Sequence, residues 1–194
     1  MTSSSKSPVL LAITGASGSI YSLKFLEIMR QLGQPVHAVI SGAGQKVIEI
    51  ELGPGGLGNV TDLCDRVYSN EDLTSAPASG SSIWHAMVVL PCTMGTLAAI
   101  ANGISQNLIH RAADVFLKEE RPLLLVPRET PLNQIHLENM LRASRAGAII
   151  YPAMPSFYHQ PRDIDQMAYF FAGRIAEFLG FHVESLRRWG GKKT

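Results

Sequence analysis

An α/β fold with a parallel central sheet is the class this sequence predicts, and three observations predict it. Five runs of strand length are almost wholly apolar, stretches of helical pattern separate them, and a glycine-rich turn follows the first run. A strand apolar on both faces belongs inside a parallel sheet covered by helices on each side, because a half-solvated strand alternates. Strands that alternate with helices imply right-handed crossovers within a single sheet.

The runs are residues 9–13, 36–40, 87–90, 123–126 and 148–151. Residues 20–32 and 108–119 carry helical pattern. In the second, Leu108, Ala112, Val115 and Leu117 fall near one face, and Lys118, Glu119 and Glu120 close it. Residues 163–179 read as a final helix. Segments 53–58 and 75–82, rich in Gly, Pro, Ser and Ala, read as loops inside one domain, since neither separates two core-sized halves. The 194 residues fit a single domain over 8–189, between a disordered polar tail at 1–7 and a loose tail at 190–194.

Composition narrows the function classes. With 46% hydrophobic and 17% charged residues, the chain is poor in charge for a solvated surface, which points to coverage by other subunits. A net charge of +1 excludes the broad basic footprint of a nucleic-acid binder. Cys64 and Cys92 form neither a disulfide framework nor a zinc spacing, and they suit a reducing compartment. The six histidines show no metal-pair spacing, so no metal is expected. The first apolar run is too short to cross a membrane and lacks a signal-cleavage pattern, so a cytoplasmic location is expected. No G-x-S-x-G elbow and no G-x-x-x-x-G-K-[ST] loop occurs.

The carboxyl ends of the strands are where an open α/β sheet binds ligands. Strand one hands over to its helix through Ile13-Thr14-Gly15-Ala16-Ser17-Gly18-Ser19-Ile20. Glycines there permit positive φ and close backbone approach, and a helix start favours phosphate. An ordinary tight turn with Ser17 as helix cap accounts for the same residues. Ser17 stands where G-x-G-x-x-G needs its second glycine, and the second run ends Ile40-Ser41-Gly42-Ala43 with no acid for a ribose. A mononucleotide therefore fits better than a dinucleotide, with Ser41 lining the same crevice. The third run ends in Cys92-Thr93-Met94-Gly95-Thr96, where the threonines either face a ligand or cap a helix. The fourth ends in Pro127-Arg128-Glu129-Thr130-Pro131. Thr130 and Pro131 suit a helix start, which sets Arg128 and Glu129 at the crevice, as ligand groups or as a solvated pair. A stiff apolar loop at 152–161 follows the fifth run, and Arg174 interrupts the last helix, where snorkelling would explain it.

Together, TGASGSIY (14–21), PASGSS (77–82), LPCTMGTLAAIANG (90–103), NLIHRAADVFLKEERPLLLVPRETPL (107–132), IHLENM (135–140) and PAMPSFYHQP (152–161) resemble the flavin prenyltransferase family, from Val9 to about Trp189. The resemblance implies a three-layer flavodoxin-like Rossmann sandwich assembled into dodecamers built of trimers. It implies transfer of a dimethylallyl group from dimethylallyl monophosphate to N5 and C6 of reduced FMN, without a metal. The prenylated FMN would go to a UbiD-type decarboxylase of the ubiquinone pathway. Gly15, Ala16, Ser17, Ser41, Thr93, Met94, Gly95, Thr96 and Arg128 are implied to hold FMN, with Ser17 near N5. Arg111, Lys118, Tyr158 and Arg174 are implied to grip the allylic phosphate across a subunit boundary. Ser79 and Gly80 would line the prenyl pocket, and Trp189 would fold over a neighbour's site. Ser17, Glu51 and Glu129 are the implied catalytic positions. Gly42 departs from the family, where lysine is common. A flavin-dependent cysteine decarboxylase shares the expected fold, but its P-A-S-A-N-T and P-x-M-N-x-x-M-W segments are absent. A non-catalytic FMN-binding subunit would have no use for the second phosphate site.

Overall fold

The computed structural model describes residues 6–186. Strand β1 (Val9–Ile13) leads into helix α1 (Ser19–Gln31), β2 (Val36–Ile40), α2 (Gly42–Leu52), α3 (Gly56–Thr61) and β3 (Arg66–Tyr68). A short 3-10 turn (Ala76–Ala78) precedes β4 (Ala86–Cys92), α4 (Met94–Ala101), α5 (Leu108–Lys118) and β5 (Leu123–Pro127), and α6 (Gln134–Arg145), β6 (Ile149–Ile150) and α7 (Ile164–Phe178) follow. The strands form one sheet in the order β3-β2-β1-β4-β5-β6, and every pair is parallel.

Two apolar cores flank this sheet, which makes the molecule the three-layer sandwich expected. Val9, Leu11 and Ile13 of β1 face Phe25, Ile48, Phe171 and Ile175, so α1, α2, α3 and α7 form one layer. Leu10 and Ala12 face Leu97, Ile109, Phe116 and Ala143, so α4, α5 and α6 form the other. The five strands expected from apolar runs are all present, and β1, β4 and β5 are buried at every residue. The order reverses between β1 and β4, and that switch opens a crevice at their carboxyl ends.

Three expectations need correction. The sheet has a sixth strand, β3, whose Arg66 and Val67 are exposed; an edge strand of three residues carries no apolar run to detect. Within 53–58, Gly53 and Gly55 take positive φ, but Gly56 already opens α3. Thr130 does not cap α6: Asn133 does, its side chain accepting from the His136 amide at 2.8 Å, while the Thr130 amide donates to Glu129 Oε1. At residues 6 and 7, the described end of the polar tail, hydrogen bonds reach the body of the fold. Lys6 Nζ donates to the carbonyls of Leu32 and Gly33, and the Ser7 carbonyl accepts from Gln34 Nε2. A cation at the carbonyl end of α1 is favourably placed.

Candidate active site

The first turn places Ser17 on the surface and Gly18, at φ 121°, as the N-cap of α1. Ser17 makes no helix cap. The carboxylate of Glu51, from the last turn of α2, does that work: it accepts from the amide of Gly18 at 3.0 Å and of Ser19 at 2.7 Å. Burial pushes Glu51 upward in pKa, but hydrogen bonds from the Ser17 hydroxyl and those two amides outweigh it and hold the carboxyl below its ordinary value. An anion thus already sits on this helix start. A phosphate at the first glycine turn would meet a like charge there.

The helix starts after β2 and β4 are different. Ser41 Oγ accepts from the Gly44 amide at 3.0 Å, and Thr93 Oγ1 accepts from the Thr96 amide at 3.1 Å while donating to Thr96 Oγ1 at 3.0 Å. Beside these caps, a Cβ on Gly42 or Gly95 would meet nothing within 4 Å, so the backbone is open to a ligand. Gly15 is the reverse case, since a Cβ there would stand 2.6 Å from that of Ala43. The turn and the start of α2 pack too closely for a side chain. Hydroxyls, bare backbone and two helix starts on one crevice suit a mononucleotide phosphate and its ring system.

Arg128 ties the crevice together from β5. Its amide donates to the Cys92 carbonyl at 3.3 Å and its Nε to the Ser17 carbonyl at 3.1 Å. It is half-buried, and Glu129 beside it is exposed. Two further residues belong here that sequence reading did not single out. Thr14 is 2% exposed and bonds across to the end of β4: its hydroxyl donates to the Pro91 carbonyl at 2.7 Å and accepts from the Thr93 amide at 2.8 Å. Tyr21 packs against Phe171 at a tilt, 4.8 Å between ring centroids. Burial raises its phenol's pKa, with Arg128 lowering it and Glu51 raising it in turn. The only sequence signal for Thr14 is a hydroxyl ending a wholly apolar strand.

The residues expected at the allylic phosphate form two separate groups. Arg111 Nε donates to the Ala78 carbonyl at 3.2 Å, and a Cβ on Gly80 would lie 3.0 Å from Lys118 Nζ. The Ser79–Gly80 loop therefore sits on α5 with Arg111 and Lys118, held by Arg121 on the carbonyls of Gly80 and Ser82. Tyr158, on the loop after β6, and Arg174, on α7, lie on other elements; both act on Tyr151, whose phenol is raised chiefly by burial, with Arg174 lowering it and Tyr158 raising it. Arg111, Lys118 and Arg174 each pair with a nearby carboxylate: Asp114, Glu119 and Glu177. The groups lie on opposite layers. Lys118 ends the helix that feeds β5, so it stands at the amino edge of the sheet, whereas Ser17 stands at the carboxyl edge. A five-residue strand spans roughly 17 Å between those edges. Within one chain, then, Lys118 and the Ser17 crevice do not meet. Trp189 lies outside the described residues. Among the described residues no cluster of His, Cys, Asp and Glu could hold a metal, and no helix is long and apolar enough to cross a membrane.

Residues 1–172 match the Flavoprotein family model. The flavin prenyltransferase UbiX of Methanothermobacter thermautotrophicus is 50% identical over 186 residues, covering 95% of this chain and 96% of that protein. This chain belongs to the flavin prenyltransferase family. Solved structures agree with the assignment. AnUbiX (PadA1), in complex with FMN and dimethylallyl pyrophosphate, superposes on this flavin prenyltransferase with a TM-score of 0.91 at 39% identity, covering 97% of this chain and all of that one. A dodecameric FMN-dependent UbiX-like decarboxylase from Escherichia coli O157:H7 gives a TM-score of 0.90 at 38% identity, with 95% and 100% covered. The FMN-dependent cysteine decarboxylase TvaF, at 17% identity and a TM-score of 0.59 over 74% of this chain and 88% of its own, shares the fold alone.

Proposed function

We propose that this chain binds reduced FMN as prenyl acceptor and transfers to it the dimethylallyl group of dimethylallyl monophosphate. The C–O bond of the donor breaks and phosphate leaves as N5 takes the allylic carbon and gives up its proton; the alkene then takes a proton, its tertiary carbon bonds to C6, and C6 releases its own proton. The observation that carries this reading is the crevice at the β1/β4 switch. Its hydroxyls, open glycines and Arg128 lie on the segments that carry the family resemblance, in a chain 50% identical to a flavin prenyltransferase along nearly its whole length.

The flavin supplies the nucleophilic N5 and C6 of its reduced ring. The rest falls to the protein. The open backbone at Gly42 and Gly95 and the hydroxyls of Ser41, Thr93 and Thr96 seat the mononucleotide, with Gly15, Ala16 and Met94 beneath and Arg128 fixing the turn that carries Ser17. Orientation of the acceptor toward the allylic carbon is a large part of the barrier. A monophosphate leaves poorly, so Arg111, Lys118, Arg174 and Tyr158 are assigned to the charge that grows on it, with Ser79 and Gly80 lining the prenyl pocket. Their separation within one chain supports a site shared between subunits, as in a dodecamer. Glu129 is assigned the proton, either to the phosphate or from C6. Glu51 acts by holding Ser17 and the start of α1, so its part in catalysis is to position. The recipient of prenylated FMN is a UbiD-type decarboxylase and the setting cytoplasmic, both on family resemblance.

The test is direct: anaerobic incubation with reduced FMN and dimethylallyl monophosphate yields a flavin heavier by one C5 unit. Bound FMN of unchanged mass after full incubation would leave only a flavin-binding protein. Glu129→Gln is expected to keep FMN and lose turnover; normal turnover would remove Glu129 from the proton path.

A further inference from the structure

We propose that Thr14, through its side-chain hydroxyl, is a positioning residue that holds the two flavin-binding segments in register. The inference rests on the flavin-site reading above. Strand pairing does not reach the site: the β1/β4 ladder ends at the pair Ala12–Val89, and β4 shifts register against β5 between Val89 and Cys92. Beyond that point, direct hydrogen bonds between the first turn and the residues leading into α4 come from Thr14, while Arg128 bridges the two segments from β5 and Ser22 ties α1 to the Leu90 carbonyl. Its hydroxyl bridges two main-chain groups, donating to the Pro91 carbonyl and accepting from the Thr93 amide, and its own amide also donates to Pro91 at 3.3 Å.

On one side of Thr14 in sequence stand Gly15, Ala16 and Ser17. On the far side of its hydrogen bonds stands Thr93, whose side chain caps α4 and bonds to Thr96. Thr14 is 2% exposed, and its hydroxyl is the acceptor for the Thr93 amide, so its removal strands a main-chain amide at the edge of the crevice. The segment free to answer that loss is Thr93 and the first turn of α4, which face the ligand. The loss is therefore expected in flavin affinity ahead of global stability.

The experiment compares Thr14→Val, which keeps shape and removes the hydroxyl, with Thr14→Ser, which keeps the hydroxyl. FMN affinity is read by quenching of flavin fluorescence and Tm by thermal scanning, alongside the unmutated protein. Thr14→Val is expected to bind FMN about tenfold more weakly or worse, and Thr14→Ser within about twofold of the unmutated chain. A folded Thr14→Val with lowered Tm and unchanged FMN affinity assigns the hydroxyl to stability and overturns the inference. So does a Thr14→Val chain that fails to fold, and so does a Thr14→Ser that binds as weakly as Thr14→Val. Failure of the unmutated protein to bind FMN is a separate result, seen before any substitution, and it removes the flavin site itself.

Discussion

Glu51, at the end of α2, sends its carboxylate to the amides that open α1, while His37 on β2 keeps a half-buried ring 3.1 Å from the Tyr68 hydroxyl. The two titrate in the same sense for different reasons. Glu51 is held below its ordinary value of 4.5 because its hydrogen bonds outweigh burial. His37 is held below 6.5 chiefly by burial, against a raising influence from Asp65. In each case the unfolded chain binds the proton more tightly than the fold, so stability falls as pH falls. For His37 the loss begins below about pH 6.5 and runs down through its lowered folded value; for Glu51 it begins below about 4.5. A plot of Tm against pH is thus expected to lose its upper arm in His37→Phe and its lower arm in Glu51→Gln. The second variant should also lose about 0.5–1 kcal/mol at pH 7, as a helix start without its anion does. An unchanged lower arm in Glu51→Gln would mean that the carboxylate does not cap α1.

At the scale of elements, the flavin crevice depends on how closely α2 and α7 approach the first strand and its helix. A Cβ on Gly44 would meet the Ile13 carbonyl oxygen at 2.7 Å, and a backbone atom at a strand end cannot give way cheaply. Gly44→Ala is therefore expected to push the first turn of α2 off β1, costing about 1–3 kcal/mol and weakening FMN binding together with stability, in contrast to Thr14→Val. Urea unfolding and flavin titration on the same preparation check both parts. On α7, Phe171 is buried between Tyr21 at 4.8 Å and Tyr151 at 5.9 Å. It joins the helix that carries Arg174 to the helix that follows Ser17. Phe171→Ala opens a core cavity, and urea unfolding should show a loss of about 3–5 kcal/mol.

At the scale of the whole molecule, the proposed shared site calls for neighbouring copies. Ile50, Ile83, Met154, Phe157 and Ile164 are each more than two-thirds exposed, a surface that a charge-poor chain covers most readily with its own kind. Lys118, at the end of α5, sits about a strand length from the Ser17 crevice of its own chain. A donor phosphate held by Lys118 beside the flavin then needs two chains. Chains carrying Ser17→Ala and chains carrying Lys118→Ala, each inactive alone, are expected to recover turnover when refolded together into mixed assemblies. Mixed assemblies that stay inactive would place both residues in one chain's site.

The layers, five of the six strands and the strand ends that bear the site could be read from the chain because burial on both faces writes itself as an uninterrupted apolar run. The turn at 14–18, the hydroxyls after β4 and Arg128 after β5 were legible for the same reason: each follows directly on such a run. What tertiary structure decided is whatever depends on a partner distant in sequence. Glu51 lies 33 residues from Gly18, and no local pattern announces that it, not Ser17, caps α1. Thr14 reads as the polar end of a strand until Thr93, 79 residues on, is laid against it. The split between Lys118 and Arg174, the cations expected at the donor, follows from topology, since helices α5 and α7 cross the sheet on opposite faces. Periodicity reports how buried a residue is; only packing decides which other residue it meets.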